Sequence, residues 1–222
     1  GFMDLVDAIE KTLMHDFDAM AAGETEPSDP QLAEFIKFYQ LTKDFKQRDA
    51  AGAKPILPCL KQIDSLSDFA DLQQRMPDWI YDGLPLPFSL DVDADMKNTK
   101  VNALFAQAPG TILPDKTYYD EGNEAGPKLL AVYGQMMTQL LQKTGYSEAE
   151  AQQIVDDTLK FDRLIVPWVK SAEEAADYSK MYNPRDFKDF ANDSKYLDLA
   201  AITYSVINGN PEIVILPEPA FF

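Results

Sequence analysis

Apolar residues recur every three or four positions along most of the chain, a spacing that predicts helices with one buried face. The first helix is expected from Phe2 to Met20. Asp29 reads as an N-cap with Pro30 at the first helical position, so a second helix is expected to begin there and run to about Phe45. One or two shorter helices are expected between Ile56 and Met76, with Ser65 or Ser67 as a cap.

The spacing changes to two in the middle of the chain. Phe88, Leu90 and Val92 alternate with polar residues, which predicts a β-strand, and a second strand is expected over 101–106 after the polar loop 95–100. The turn sequence over 83–87 holds two prolines and separates this hairpin from the preceding helices. A short apolar run over 213–216 predicts one more strand near the end.

Helical spacing returns after Tyr119. A helix over 129–141 is expected to stop at Gly145, and Ser147 with Glu150 forms a capping box that starts a long helix. Asn183-Pro184 is expected to start a short helix, and another is expected over 196–207. On the long helix the expected inward residues are Ile154, Phe161, Ile165 and Trp168.

These elements predict a mainly α fold: a multi-helix domain with a small β-hairpin and one short C-terminal strand. The length of 222 residues and a hydrophobic content of 45% suit a globular protein with a real core. The formal net charge of −17 makes nucleic acid and anionic membranes poor partners, because like charges repel.

Candidate catalytic chemistry is sparse. The chain has one histidine, His15, and one cysteine, Cys59, so neither a two-histidine zinc helix nor a Cys/His cluster can form. His15 is expected to be an exposed helical residue and Cys59 a small buried apolar one. The acidic run from Asp91 to Asp95 resembles the start of a calcium loop, but Met96 stands where that loop needs glycine. We therefore expect no catalytic residue and no metal ligand here.

Tyr118 and Tyr119 form an unusual pair for a loop. A structural corner is the favoured interpretation, with each ring packed and each hydroxyl hydrogen-bonded, and contact with a ligand is the alternative.

The order of four segments resembles the neprilysin-like zinc metallopeptidases, in particular the bacterial oligoendopeptidase O type. Residues 109–119 are similar to that family's Pro-Gly…Leu-Pro-x-x-x-Tyr-Tyr segment, and residues 95–98 to its Asp-x-Lys-Asn loop between two strands. Residues 182–184 are similar to its Tyr-Asn segment, and residues 211–215 to the strand that precedes its catalytic domain. The resemblance covers essentially the whole chain in order.

The resemblance implies that residues 1–222 are a single helical cap domain, cut at both ends from a larger zinc-dependent endopeptidase. It places the catalytic zinc in the full-length parent and outside this chain, which implies no cofactor for the fragment and no activity of its own. The implied partners are oligopeptide substrates and the C-terminal catalytic domain of the same chain, in a monomer. A cytoplasmic location is favoured for a bacterial parent, with surface or secreted location left open.

Only one substrate-binding residue follows from the resemblance. Phe2 matches an aromatic residue at the edge of the pocket for the residue after the scissile bond. Val6 matches a position where some animal members hold an arginine near the substrate carboxylate. Two alternatives stay open: a stand-alone acidic helical protein-interaction module, and a hydrolase with paired carboxylates.

Overall fold

The computed structural model describes residues 1–84 and 86–222, so the expected turn at Pro85 lies outside the described residues. The described residues are mainly helical and include a small four-stranded sheet, which confirms the predicted fold class. They form two compact units, Gly1–Leu57 and Pro58–Phe222. The single-domain organisation stays a prediction. In the described part of the chain no helix is both long and apolar enough to cross a bilayer.

The first unit contains three helices: α1 (Phe2–Ala21), α2 (Pro30–Thr42) and α3 (Phe45–Ala51). The predicted start of α2 is confirmed, because an Asp29 carboxylate oxygen accepts the Leu32 amide at 2.9 Å. Its predicted end was too late, since the Asp44 carboxylate accepts the Gln47 amide at 2.9 Å and caps a separate helix. The Phe17 ring packs edge-on against Phe35, with centroids 4.9 Å apart. The ring of α2's Tyr39 also contacts Phe17, which joins α1 to α2.

Two helices open the second unit: α4 (Leu57–Asp64), which starts at the unit boundary, and α5 (Phe69–Tyr81). The predicted serine cap of α5 was wrong. The Asp68 carboxylate accepts the Asp71 amide at 2.9 Å, while the Ser67 hydroxyl donates to the Asp71 carboxylate at 2.6 Å. A carboxylate accepts this bond with a full charge, which makes Asp68 the better partner for a helix N-terminus.

Two long helices form a hairpin, α6 (Ala125–Lys143) and α7 (Glu148–Ile165). Between them Gly145 adopts a left-handed φ of 109°, which confirms the predicted stop. The capping box is also confirmed: the Glu150 carboxylate accepts the Ser147 amide at 2.9 Å, and the Glu150 amide donates to the Ser147 hydroxyl.

The predicted inward face of α7 was right for Ile165 and wrong for the other residues. Ile165 is buried, but the side chains of Ile154, Phe161 and Trp168 are 37%, 54% and 52% exposed. The buried residues Ala151, Val155, Asp162 and Ile165 instead face the rest of the second unit.

The remaining helices are α8 (Ala172–Ala176), α9 (Phe187–Phe190) and α10 (Leu199–Ile207). The start of α10 was predicted three residues too early. The Asp198 carboxylate accepts the Ala201 amide at 2.9 Å and so marks the helix start.

The sheet contains β1 (Ser89–Ala94), β2 (Asn102–Gln107), β3 (Pro184–Asp186) and β4 (Ile213–Ile215), in the order β1-β2-β4-β3. The predicted hairpin is confirmed as antiparallel β1 and β2, with Leu90 opposite Ala106. β4 pairs parallel to β2 and antiparallel to β3.

The helix predicted at Asn183-Pro184 was wrong, because Pro184 begins the edge strand β3. The Asn183 carbonyl accepts the Leu216 amide at 3.0 Å, and the Asn183 side-chain amide donates to the Leu216 carbonyl, also at 3.0 Å. These bonds hold the backbone extended, and an edge strand tolerates the missing proline N–H. The main core lies on one face of the sheet, where Leu104 and Val214 pack with Met76, Phe190 and Ile202.

Candidate functional site

The two tyrosines lie in the segment that leads from β2 to α6, on a 3₁₀ turn over Lys116–Tyr119. The Tyr119 hydroxyl donates to Asp162 Oδ2 at 2.6 Å and accepts the Leu113 amide at 3.0 Å. The other carboxylate oxygen of Asp162 accepts the Ile112 amide at 2.7 Å. Tyr119 therefore closes a corner between this segment and α7, which agrees with the structural interpretation for this residue. The Tyr118 hydroxyl makes no hydrogen bond among residues 1–84 and 86–222, so that interpretation does not extend to it.

Asp162 is the buried carboxylate that organises this corner, with 4% of its surface exposed. Burial and the hydrogen bond to Asp162 raise the pKa of the Tyr119 hydroxyl to about 12, against an ordinary value of 10.0. The folded state therefore holds the Tyr119 proton more tightly than the unfolded chain does. The stabilisation that results from this difference is complete below about pH 10 and is lost as the pH rises toward 12.

The same segment also fixes the start of α8. Asp115 Oδ2 accepts the Ala172 amide at 2.6 Å, and this bond is the largest cause of the lowered pKa of the Asp115 carboxyl. Lys116 Nζ pairs with the Glu174 carboxylate at 3.1 Å and donates to the Val169 carbonyl at 3.1 Å. The Leu-Pro…Tyr-Tyr motif is thus a set of anchors between backbone segments.

Two further motifs of the predicted resemblance meet at the hairpin tip. The Asp95 carboxylate accepts the Lys97 amide at 2.7 Å and the Asn98 amide at 2.9 Å. The bond from Lys97 is the largest cause of the lowered pKa of Asp95. The Tyr182 hydroxyl donates to Asp95 at 3.1 Å, and Lys97 Nζ lies 4.5 Å from the Tyr182 ring centroid. Asp95 therefore holds a turn together, and its spacing from Asp91 has a structural explanation.

Phe2 and Val6 lie one turn apart on α1, so they share a face. The Phe2 side chain is 78% exposed and Val6 is half-buried. The role assigned to Phe2 stays a prediction.

The chain offers one imidazole and one thiol as nitrogen and sulfur donors for zinc. His15 is exposed on α1, whereas Cys59 is half-buried on α4. Within residues 1–84 and 86–222 no three His, Cys, Asp or Glu side chains gather closely enough to hold a metal ion. The described residues therefore do not fit a catalytic zinc, which needs three protein ligands.

Sequence reasoning missed Asp162 and Gly126. Asp162 follows Val155 by seven residues and precedes Ile165 by three, so helical spacing already placed a carboxylate on a buried face. A Cβ added to Gly126 would lie 1.8 Å from the Tyr118 carbonyl oxygen, a proximity that no sequence pattern shows.

The sequence model for the N-terminal part of peptidase family M13 matches residues 1–222. The chain belongs to this family. The predicted resemblance to the neprilysin-like zinc metallopeptidases is thereby confirmed.

Curated relatives agree with the M13 assignment. The chain is 34% identical over 222 residues to the putative zinc metalloproteinase in the scaA 5′ region of Streptococcus gordonii, covering 100% of the chain and 39% of that protein. It is 36% identical over 216 residues to a neutral endopeptidase of Lactobacillus helveticus, covering 96% of the chain and 33% of that protein. The M13 chain therefore spans between a third and two-fifths of these relatives.

Solved structures share the fold. The crystal structure of PepO from Lactobacillus rhamnosis HN001 superposes with a TM-score of 0.81 at 25% identity, covering 99% of the chain and 34% of PepO. The Mycobacterium tuberculosis zinc metalloprotease Zmp1 in complex with an inhibitor gives a TM-score of 0.77 at 18% identity, with 99% and 34% coverage. At that identity the second match shows the fold alone.

Proposed function

We propose that this M13 chain is the helical cap domain of a zinc-dependent endopeptidase that cleaves short peptides and restricts access by size. The observation that carries the proposal is the match of the family model to all 222 residues, with relatives named neutral endopeptidase. In this proposal the zinc ligands belong to the part of the full-length protein that follows residue 222. A zinc ion held there would polarise the scissile carbonyl and activate a water molecule, and the cap would supply enclosure and binding contacts.

Size restriction is tested on the full-length protein. One substrate is a free peptide, and the other is the same peptide joined at both ends, through flexible linkers, to folded carrier domains. We expect kcat/KM to fall roughly 100-fold or more for the carrier-linked peptide, because enclosure excludes the carriers. An open-cleft zinc peptidase is the control and should cleave both at similar rates.

Equal cleavage of both substrates by the full-length protein would contradict the cap role. A full-length protein that hydrolyses no peptide when loaded with zinc would instead favour the interaction-module alternative.

Phe2 is proposed to contact the substrate residue after the scissile bond. Phe2→Ala in the full-length protein is expected to lower kcat/KM about 10-fold for peptides with a bulky apolar residue there, since an aromatic contact is lost. For peptides with alanine at that position, kcat/KM of the Phe2→Ala variant should fall much less. Phe38→Ala removes a comparably exposed ring from α2, at 62% exposure, and should change neither value by more than about twofold. Equal losses for the two variants would remove Phe2 from the site.

We expect the full-length protein to show little preference for peptides with a free C-terminal carboxylate, because the apolar side chain of Val6 cannot make a charge-assisted hydrogen bond. The values of kcat/KM for one peptide with a free C-terminus and for the same peptide with an amidated C-terminus should therefore agree within about threefold. Val6→Arg in the full-length protein is expected to favour the free carboxylate. If amidation of the peptide greatly lowered kcat/KM of the unaltered protein, another cationic group would have to bind the substrate carboxylate.

A further inference from the structure

The outer side of the α6–α7 hairpin carries apolar side chains that the described chain leaves uncovered. On α6 these are Leu129, Val132, Met136 and Leu140, which are between 44% and 63% exposed. Their spacing of three, four and four residues places them in one row along the helix. α6 contains no acidic residue in 19 positions, although 37 of the 222 residues of the chain are acidic. The only charged residues of α6 are Lys128 and Lys143, near its two ends, so the row of apolar side chains is not interrupted by a carboxylate.

A second row lies on α7 and the turn after it. Ile154, Phe161 and Trp168 follow one another at steps of seven residues, and each is more than a third exposed. This spacing keeps Ile154 and Phe161 on one side of α7, and Trp168 follows at the end of the 3₁₀ turn over Val166–Trp168. The sequence pattern predicted that these residues point inward, so the pattern of a buried face is present while the described chain supplies nothing to bury it.

The two rows lie on the same side of the hairpin. The helices face each other where a Cβ on Gly134 would contact Val155 Cγ1 at 3.4 Å. Counting roughly 100° per residue from Gly134 and Val155, the α6 row lies about 155° and the α7 row about 120° from the facing side, in the same rotational sense on both helices. The short connection over residues 144–147 makes the helices antiparallel, and an equal sense then brings both rows to one side. We call the two rows together the hairpin face.

We propose that the hairpin face is a docking surface for the polypeptide that follows residue 222 in the full-length protein. Seven large apolar side chains in two adjacent rows exceed the scattered exposure of an ordinary surface and are typical of a contact surface. The chain spans only 33% to 39% of two curated relatives and matches the model for the N-terminal part of the family. In this proposal most of the remaining polypeptide follows residue 222. This inference rests on the proposed function, because it names the surface through which the cap contacts the rest of the peptidase.

The test places a photo-crosslinking residue on the face in the full-length protein. p-Benzoylphenylalanine in place of Phe161 keeps an aromatic side chain at a position that is 54% exposed, so folding should tolerate it. The same residue in place of Tyr204 on α10, which is 55% exposed, is the matched control. After irradiation of a mixture of light and isotope-labelled protein, mass spectrometry identifies the crosslinked peptides.

We expect position 161 to crosslink to residues beyond 222 of the same chain, at a yield at least tenfold above that of position 204. Crosslinks mainly between light and labelled chains would assign the face to a second copy and overturn the proposal. Crosslinks to residues before Gly1, or a yield equal to the control, would also overturn it.

Thiol labelling gives a second measurement that does not depend on the bulky crosslinker. In a Cys59→Ala background, Val132→Cys should react with a maleimide at least tenfold more slowly than Val92→Cys on β1, since Val132 and Val92 are 63% and 54% exposed in this chain. Equal rates would contradict docking. Neither readout depends on cleavage, so a protected face in a protein without size restriction would refute the proposed function and leave the docking surface standing.

Discussion

Gly126→Ala is expected to lower the free energy of unfolding by about 3 kcal/mol or more. A Cβ at Gly126 would lie 1.8 Å from the Tyr118 carbonyl oxygen and 2.9 Å from its carbonyl carbon, both backbone atoms. Carbon atoms in ordinary contact are about 3.5–4.0 Å apart, so the first turn of α6 must move away from the Tyr118–Tyr119 corner. That movement strains the corner that Tyr119 and Asp162 hold. Denaturant unfolding of the purified protein measures the loss.

Gly134→Ala is the matched control within the same helix. Its Cβ would lie 3.4 Å from Val155 Cγ1, an ordinary contact, and alanine has the better helix propensity by roughly 1 kcal/mol. We expect this variant to be neutral or slightly more stable. If Gly126→Ala were as stable as Gly134→Ala, the close approach of α6 to Tyr118 would be wrong.

Asp162→Ala is expected to destabilise the protein by about 2–4 kcal/mol, because it leaves the partly buried Ile112 amide and the Tyr119 hydroxyl without their acceptor. Both partners lie within 2.7 Å of the carboxylate oxygens. Tyr119→Phe removes a single hydroxyl and should cost about 1–2 kcal/mol. The free energy of unfolding of the double variant should fall by less than the sum of the two single losses, and the difference, the coupling energy, should be at least about 0.5 kcal/mol. Denaturant unfolding of the four proteins at neutral pH measures this cycle.

Tyr118→Phe controls for loss of a neighbouring hydroxyl. No hydrogen bond of the Tyr118 hydroxyl occurs among residues 1–84 and 86–222, so this change should stay within about 0.5 kcal/mol. Additive losses for Asp162→Ala and Tyr119→Phe would mean that the two side chains act independently, which the 2.6 Å contact does not allow.

The local elements were largely predictable because their signals are local. The start of α2 at Asp29, the capping box at Ser147 and the stop at Gly145 each depend on bonds within a few residues. The β1–β2 hairpin was predictable for a related reason, since alternation over six residues reports which side chains share a face.

The errors lie where a distant partner competes with the local signal. Pro184 follows a good capping residue, yet one backbone and one side-chain hydrogen bond between Asn183 and Leu216, 33 residues away, select a strand. The candidate site shows the same limit. The sequence pointed to Tyr119 as a corner residue but could not name Asp162, which is 43 residues away.

By itself the sequence determined the helix pattern, the hairpin, the shortage of imidazole and thiol groups, and the ordered motifs of an M13 N-terminal region. Only the tertiary structure decided which faces are buried, that β3 completes the sheet, and that the Leu-Pro…Tyr-Tyr segment anchors α7 and α8. The physical reason is the distance along the chain over which each interaction acts. Capping and periodicity act within one or two turns, whereas burial and hydrogen bonding between distant segments depend on how the whole chain packs.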